Sequence, residues 1–136
     1  MEKLSDCELI VMKCIWDHND HEMVLSEIVT TLAEEYGRIW NPNTVSTFLT
    51  RLIRKGFLSS TRQGRYFFYK ILVSEADYRN AMIDDRVGLW FGGDATKFVC
   101  FLLDYYPWTP DQITTIEQKL KDIKNPAANK KKRADK

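Results

Sequence analysis

Apolar side chains return every three or four residues through most of this 136-residue chain, and the periodic stretches are separated by capping residues, glycines and prolines. The first stretch opens at Ser5, which has capping-box spacing to Glu8, while Leu4 and Leu9 stand at hydrophobic-staple positions. This predicts a helix to about Trp16 that buries Leu9, Met12, Ile15 and Trp16. "DHNDHE" (17–22) reads as a polar turn, and Met23–Leu25 as a short extended link. A second helix is predicted from Ser26 to Tyr36, burying Ile28, Val29 and Leu32, with Gly37 as its stop.

The third periodic stretch is "NPNTVSTFLTRLIRKGFL" (41–58). Asn41 suits an N-cap and Pro42 the first helical position, where a missing N–H costs nothing. Trp40 and Val45 occupy staple positions, and Gly56 ends the helix just after Arg54 and Lys55. Wound at roughly 100° per residue, Val45, Phe48, Leu49, Leu52 and Ile53 share an arc of about 140°. Asn43, Thr44, Ser46, Thr47, Thr50, Arg51, Arg54 and Lys55 fill the opposite side. A merely solvated helix face more often carries Glu and Lys in i,i+4 pairs than short polar residues with arginine.

Periodicity then changes. "FLSSTR" (57–62) and "RYFFYKILV" (65–73) are aromatic and β-branched runs joined at Gln63–Gly64, which predicts a β-hairpin with Arg62 and Arg65 at its tip. Three helices followed by such a hairpin form a winged helix-turn-helix, whose third helix enters the major groove of DNA while the hairpin reaches the backbone. Helical spacing resumes at Ser74, which with Asp77 caps a helix to about Phe91 that Gly92–Gly93 break. The apolar "ATKFVCFLLDYY" (95–106) follows, then a "PWTP" turn and a third capping box, Thr109 with Gln112. In the last helix Ile113, Ile116, Leu120 and Ile123 are spaced 3-4-3, an a/d stripe suited to a partner helix. The expected fold class is therefore mainly α. Residues 1–73 make a winged-helix DNA-binding domain, 74–123 a helical dimerisation domain, and 124–136 a disordered basic tail.

The chain is long enough for one core plus a smaller appended element. No apolar run approaches the ~20 residues of a membrane span, and "MEKLSDCELI" lacks the apolar core of a signal peptide, so no membrane insertion is expected. Cys7, Cys14 and Cys100 form no CxxC pair, which fits a reducing, cytoplasmic location.

Charge sharpens the picture more than composition does. The formal net charge is only +1, yet it is sorted in blocks. Residues 1–35 hold nine acids and two bases. Residues 36–74 hold seven bases (Arg38, Arg51, Arg54, Lys55, Arg62, Arg65 and Lys70) and no acid. Acids predominate again over 75–123, and bases in the tail. Carboxylates repel phosphates, whereas each Lys or Arg docked on DNA releases a counterion. The acid-free span coincides with the third helix and the hairpin, the two elements that would face a polyanion. On such a helix, Asn and Arg can pair with adenine and guanine edges and Thr methyls can touch thymine methyls.

Four segments also resemble the BlaI/MecI family of bacterial repressors that control β-lactam resistance genes. They are "LSDCELIVMKCIWD" (4–17), "WNPNTVSTFLTRLIRKGFL" (40–58), "RQGRYFFYKILVSEADY" (62–78) and "FGGDATKFVCFLLD" (91–104). The resemblance runs in order over residues 4–123. It implies a winged-helix repressor that dimerises through its C-terminal helices and binds a palindromic operator of TACA/TGTA-type half-sites. It also implies a membrane-bound sensor protease that cleaves within the dimerisation region. The cut maps to Cys100–Phe101, where the family typically has Asn–Phe. Asn43 and Ser46 stand where family members often have basic residues.

The expected DNA contacts are therefore Asn43, Thr44, Ser46, Thr47, Thr50, Arg51, Arg54, Lys55, Arg62 and Arg65. The expected dimer contacts are Phe98, Phe101, Leu102 and Tyr105 together with Ile113, Ile116, Leu120 and Ile123. Cys7 and Cys14 lie near Asp17, His18, Asp20, His21 and Glu22, but no tetrahedral ligand spacing appears, so no metal or cofactor is expected. Cys100, on an apolar helix, reads as core or interface, and Trp16, Trp40, Trp90 and Trp108 as packing anchors. The aromatic run 66–69 alternates across a strand, so one of its faces is expected to be buried and not to stack on single-stranded bases. No Gly-rich phosphate loop and no HExxH motif points to an enzyme. The alternative reading is a winged helix that binds another protein, which a flat salt dependence on duplex DNA would reveal.

Overall fold

The computed structural model describes residues 1–127. Its elements are α1 (Asp6–Asp17), β1 (Met23–Val24), α2 (Leu25–Tyr36), α3 (Pro42–Arg54), β2 (Leu58–Gln63), β3 (Tyr66–Ile71), α4 (Glu75–Phe91), α5 (Ala95–Tyr105) and α6 (Pro110–Lys124). They divide into two compact units, one ending at Arg86 and one starting at Val87.

The first unit is a winged helix. Local chemistry sets its helix ends much as the sequence predicts. The Ser5 hydroxyl oxygen accepts from the Glu8 N–H at 3.2 Å, and the Glu8 carboxylate accepts from the Ser5 N–H at 3.0 Å. Asn41 accepts from the Thr44 N–H at 2.9 Å, with Pro42 at the first position of α3. Gly37 closes α2 at φ 65°, a left-handed conformation that a Cβ would strain. The link at Met23–Val24 is more than extended: it pairs antiparallel with β3, opposite Tyr69 and Phe68, and completes a three-stranded sheet of order β1-β3-β2. The β2–β3 hairpin turns at Gly64–Arg65, one residue later than predicted, with Gln63 opposite Tyr66. Gly64 takes φ 65° and Arg65 keeps a negative φ, as in a type II′ turn.

The core joins Val11, Met12 and Ile15 of α1, Ile28 and Leu32 of α2, and Val45, Leu49 and Leu52 of α3. Phe57 and Leu58 close it below the hairpin. The start of α4 belongs to this packing. Tyr78 is buried, lies edge-on to Phe57 at 5.4 Å and 5.9 Å from Trp16, and its hydroxyl accepts from the Leu4 N–H at 3.0 Å. The Trp16 indole N–H donates to the Val73 carbonyl at 2.9 Å. Leu9 corrects the sequence reading: it is exposed, because the buried arc of α1 runs instead through Glu8, Val11, Met12 and Ile15.

In the second unit α5 and α6 bury no residue of their own. Asp94 caps α5 through the Thr96 N–H at 2.9 Å, and Thr109 and Gln112 form the predicted capping box on α6. Rings run in series, Phe91 to Phe98 at 5.5 Å, Phe91 to Phe101 at 5.7 Å and Phe101 to Tyr105 at 5.4 Å. Trp108 donates its indole N–H to the Leu103 carbonyl at 2.9 Å. Trp90 is no anchor, being 72% exposed near the end of α4. Lys124, the first residue of the predicted tail, is instead the last of α6, and residues 128–136 lie outside the described residues. No helix among the described residues is long and apolar enough to cross a membrane.

Candidate nucleic-acid interface

Helix α3 turns Val45, Leu49 and Leu52 inward, so the remaining positions must face out. Asn43, Thr47, Thr50, Arg51 and Arg54 are exposed, and Thr44 and Ser46 are half-buried beside them. Phe48 is half-buried with its ring 5.1 Å from Trp40, so the anchor preceding α3 meets Phe48. Ile53, at the edge of the predicted apolar arc, is exposed.

The two central threonines are committed in one respect. The Thr47 hydroxyl donates to the Asn43 carbonyl and the Thr50 hydroxyl to the Ser46 carbonyl, both at 3.0 Å. Each hydroxyl proton is thereby used. What Thr47 and Thr50 still offer a ligand is an acceptor lone pair and a methyl group. That combination suits a base amine or a thymine methyl.

The hairpin leaves the body of the unit as it goes. Leu58 is buried, but the strands are exposed from Ser60 to Phe67. Tyr69 and Phe67 share a strand face, and only Tyr69 is buried, because the wing extends past the core that covers its base. The expected buried aromatic face thus holds at Tyr69 and fails at Phe67. Arg62, opposite Phe67, lies 5.8 Å from that ring's centre and donates its Nε–H to the Gly64 carbonyl at 3.0 Å. These contacts fix the guanidinium at the tip, next to the exposed turn residue Arg65.

Electrostatics separate one cation from the rest. Lys55 is turned inward, its Nζ 2.6 Å from the Glu8 carboxylate and 3.1 Å from the Lys3 carbonyl. Glu8 is 2% exposed. Burial alone would raise its carboxyl pKa, but the hydrogen bonds from Lys55 and from the Ser5 N–H outweigh that and hold it below the ordinary value. Arg38, Arg51, Arg54, Arg62, Arg65 and Lys70 make no ion pair with a carboxylate among the described residues, and all six are exposed. The acid-free span is thus a surface of uncompensated charge, with Lys55 withdrawn from it to tie α3 to α1.

Two exposed residues just before α3, Arg38 and Ile39, lie outside the expected contacts. Arg38 was visible in the charge count. Ile39, 89% exposed just before α3, had no signal, since one apolar residue in a loop is ordinary.

The cysteine and histidine cluster does not assemble. Cys14 is buried and its thiol is pushed up to about 12, by burial first and then by the nearby Glu35, Asp17 and Glu27 carboxylates. His18 faces Glu35 at 2.9 Å and His21 faces Glu27 at 2.6 Å. No group of three or more His, Cys, Asp or Glu among the described residues could hold a metal ion.

A winged helix-turn-helix protein with a bare cationic helix and wing is the class that this fold and surface define. The family model described as penicillinase repressor matches residues 4–122. The chain belongs to that family, the BlaI/MecI repressors. It is 31% identical over 123 residues to the penicillinase repressor of Bacillus licheniformis, covering 90% of this chain and 93% of that protein. It is 26% identical over 125 residues to the methicillin resistance regulatory protein MecI of Mammaliicoccus sciuri, covering 90% and 94%. Among solved structures, the solution structure of the DNA-binding domain of the repressor BlaI is similar, with 40% identity and a TM-score of 0.48. That likeness covers 57% of this chain and 94% of the other.

Proposed function

We propose that this chain is a dimeric DNA-binding transcriptional repressor, with α3 in the major groove and the hairpin on the backbone. The observation that carries the reading is the set of exposed, unpaired arginines on α3 and the wing. A surface kept clear of carboxylates and of internal ion pairs is arranged for an external polyanion. Asn43, Thr44, Ser46, Thr47, Thr50 and Arg51 meet base edges. Arg54, Arg62 and Arg65 meet phosphates. Lys55 makes no DNA contact in this reading and holds the recognition helix on α1.

Residues 1–73 carry DNA binding and 74–123 dimerisation, with Tyr78 tying the start of α4 to the first. The second function is supported by the bare apolar surface of α5 and α6. Phe101 and Tyr105 are exposed in the single chain, as are Ile113, Leu120 and Ile123, while Phe98, Leu102 and Ile116 are half-buried. A helix pair in which no side chain is fully buried gains further hydrophobic stabilisation from a partner, and a second copy supplies a self-complementary one. Two copies present two recognition helices, so the operator is a pseudo-palindrome with half-sites about one helical turn apart.

Release by a sensor protease would have to act on α5. The Cys100–Phe101 bond lies inside that helix, on its exposed side. A helical bond is cut from a locally opened state, so cleavage would track how easily α5 unwinds. The central test is a salt titration of binding to duplex DNA, with the mass measured by light scattering. A steep loss of affinity with salt and a dimer mass at tens of micromolar are expected. A flat salt dependence would favour a protein-binding module, and a monomeric mass would remove the dimer.

A further inference from the structure

We propose that Arg38 and Ile39 form a third DNA-contacting element beside α3 and the wing, Ile39 meeting a thymine 5-methyl at the edge of each half-site and Arg38 a neighbouring phosphate. The proposal rests on the repressor reading above and extends it to residues outside the recognition helix.

A single exposed isoleucine is ordinary. What distinguishes Ile39 is its setting. At 89% exposed it is barer than the half-exposed aromatic side chains of the wing, and nothing in its own unit covers it. It does not dangle. On one side, Gly37 caps α2 and the Arg38 N–H donates to the Leu32 carbonyl at 3.0 Å. On the other, Trp40 packs on Phe48 and Asn41 caps α3. Two residues are left between pinned ends, so the side chains at 38 and 39 are presented by rigid backbone, with Trp40 taking the inward position.

The direction of presentation matters as well. In helix-turn-helix docking, the N-terminal end of the recognition helix approaches the base edges. Ile39 precedes the Asn41 cap of α3 by two residues and sits at that end. In the major groove, the thymine 5-methyl is the apolar feature an isoleucine can cover. Arg38 is exposed and without a carboxylate partner among the described residues, so its charge is free for a phosphate at the groove's rim.

The test uses the full chain and the duplex that it selects from random DNA. Each thymine is replaced in turn by deoxyuridine, which removes only the 5-methyl. Wild-type protein should lose about fourfold in affinity at one thymine per half-site that Ile39 covers, the worth of one buried methyl-sized group. Ile39→Ser should bind the unmodified duplex about that much more weakly and show no further loss at that thymine. Thr47→Ala should leave that sensitivity in place, which separates the loop from the helix. Arg38→Gln should keep the methyl sensitivity and lower the salt slope by about one counterion. Because both side chains are exposed, thermal unfolding should be unchanged. If Ile39→Ser pays the same deoxyuridine penalties as wild type at every position, the contact does not exist. If Arg38→Gln leaves the salt slope unchanged, the phosphate contact is overturned. A selection that returns no preferred duplex overturns the repressor reading itself, and this proposal with it.

Discussion

Helices α3 and α6 each carry an apolar stripe at helical spacing, yet Val45, Leu49 and Leu52 of α3 are sealed from solvent while Ile113, Leu120 and Ile123 of α6 are exposed. The difference is not in hydrophobicity. Every buried apolar side chain among the described residues lies at or before Tyr78, where α1, α2, α3, the sheet and the start of α4 close around one another. Beyond Val87, rings and caps shape the helices, but no described residue is buried. A periodic stripe therefore reports that a face is built to be covered and leaves open whether the cover is the same chain. Burying a Leu or Ile side chain is worth about 1.5–3 kcal/mol. The stripe on α6 together with α5 thus leaves apolar surface that a cover would stabilise.

The largest effect should come from breaking the uncovered side. Leu120→Asp places a charge in the proposed dimer face without touching DNA. The operator affinity of the full chain should fall about 10²–10⁴-fold as the two half-sites are uncoupled, and the mass should halve. An unchanged affinity and a dimeric mass would end the view that α6 waits for a second copy. Truncation on the covered side should act on stability. Leu52→Ala should cost about 2–5 kcal/mol of unfolding free energy in urea. Leu120→Ala should leave the unfolding of the first unit where it was. Equal losses would mean that the two stripes are covered alike.

Next comes the tie between α3 and α1. Lys55→Met strands the buried Glu8 carboxylate and should destabilise by about 3 kcal/mol at neutral pH. The sign of the pH effect follows from the carboxyl. Its folded pKa is below the ordinary 4.5, so the contribution is complete above that value and is lost as pH falls through the folded one. The gap between wild type and Lys55→Met should close on acidification below about pH 4.5, and a gap that persists in acid would refute the ion pair as its source. If Lys55 were a DNA contact instead, the salt slope would also drop in the variant, and no such drop is expected.

Smaller still are single DNA contacts. Thr47→Ala or Arg51→Ala should each cost roughly 1–3 kcal/mol at particular base pairs. Arg65→Ala should weaken binding to all sequences and reduce the salt slope by about one. Base preference altered by the wing variant and left intact by the helix variants would reverse these roles. The mildest probe is thiol labelling, which changes only a rate. Cys14 is sealed and its thiol is pushed up to about 12, so it should label only on unfolding. Cys100 is exposed in the single chain, and a dimer should shield it. Leu120→Asp should speed labelling at Cys100 and leave Cys14 unreactive. Equal rates at Cys100 in both proteins would place that cysteine outside the interface.

What could be read before the fold was known follows from the range of each interaction. Capping at Ser5, Asn41, Ser74 and Thr109 involves residues three apart, so the partners are neighbours in sequence and the bonds form as the spacing implies. The acid-free span is written in the order of charged residues along the chain. The misplaced features depend on partners far along the chain. Helical spacing allows two overlapping arcs on α1, and packing selects the one through Glu8 and leaves Leu9 exposed. Trp90 reads as a packing anchor in the sequence, but a ring packs only where a surface meets it, and Trp90 stays exposed.

The sequence by itself determined the helices, the hairpin, the amphipathic recognition helix and the exclusion of acids from the surface it presents, because each is written in spacing, caps or charge over a few residues. Only the tertiary structure decided that Met23–Val24 joins the sheet, that Lys55 turns inward to a glutamate 47 positions away, and that Ile39 stays bare beside α3. Those outcomes depend on which distant groups meet when the core closes, and a linear pattern carries no record of where a side chain ends up once its neighbours are chosen by packing.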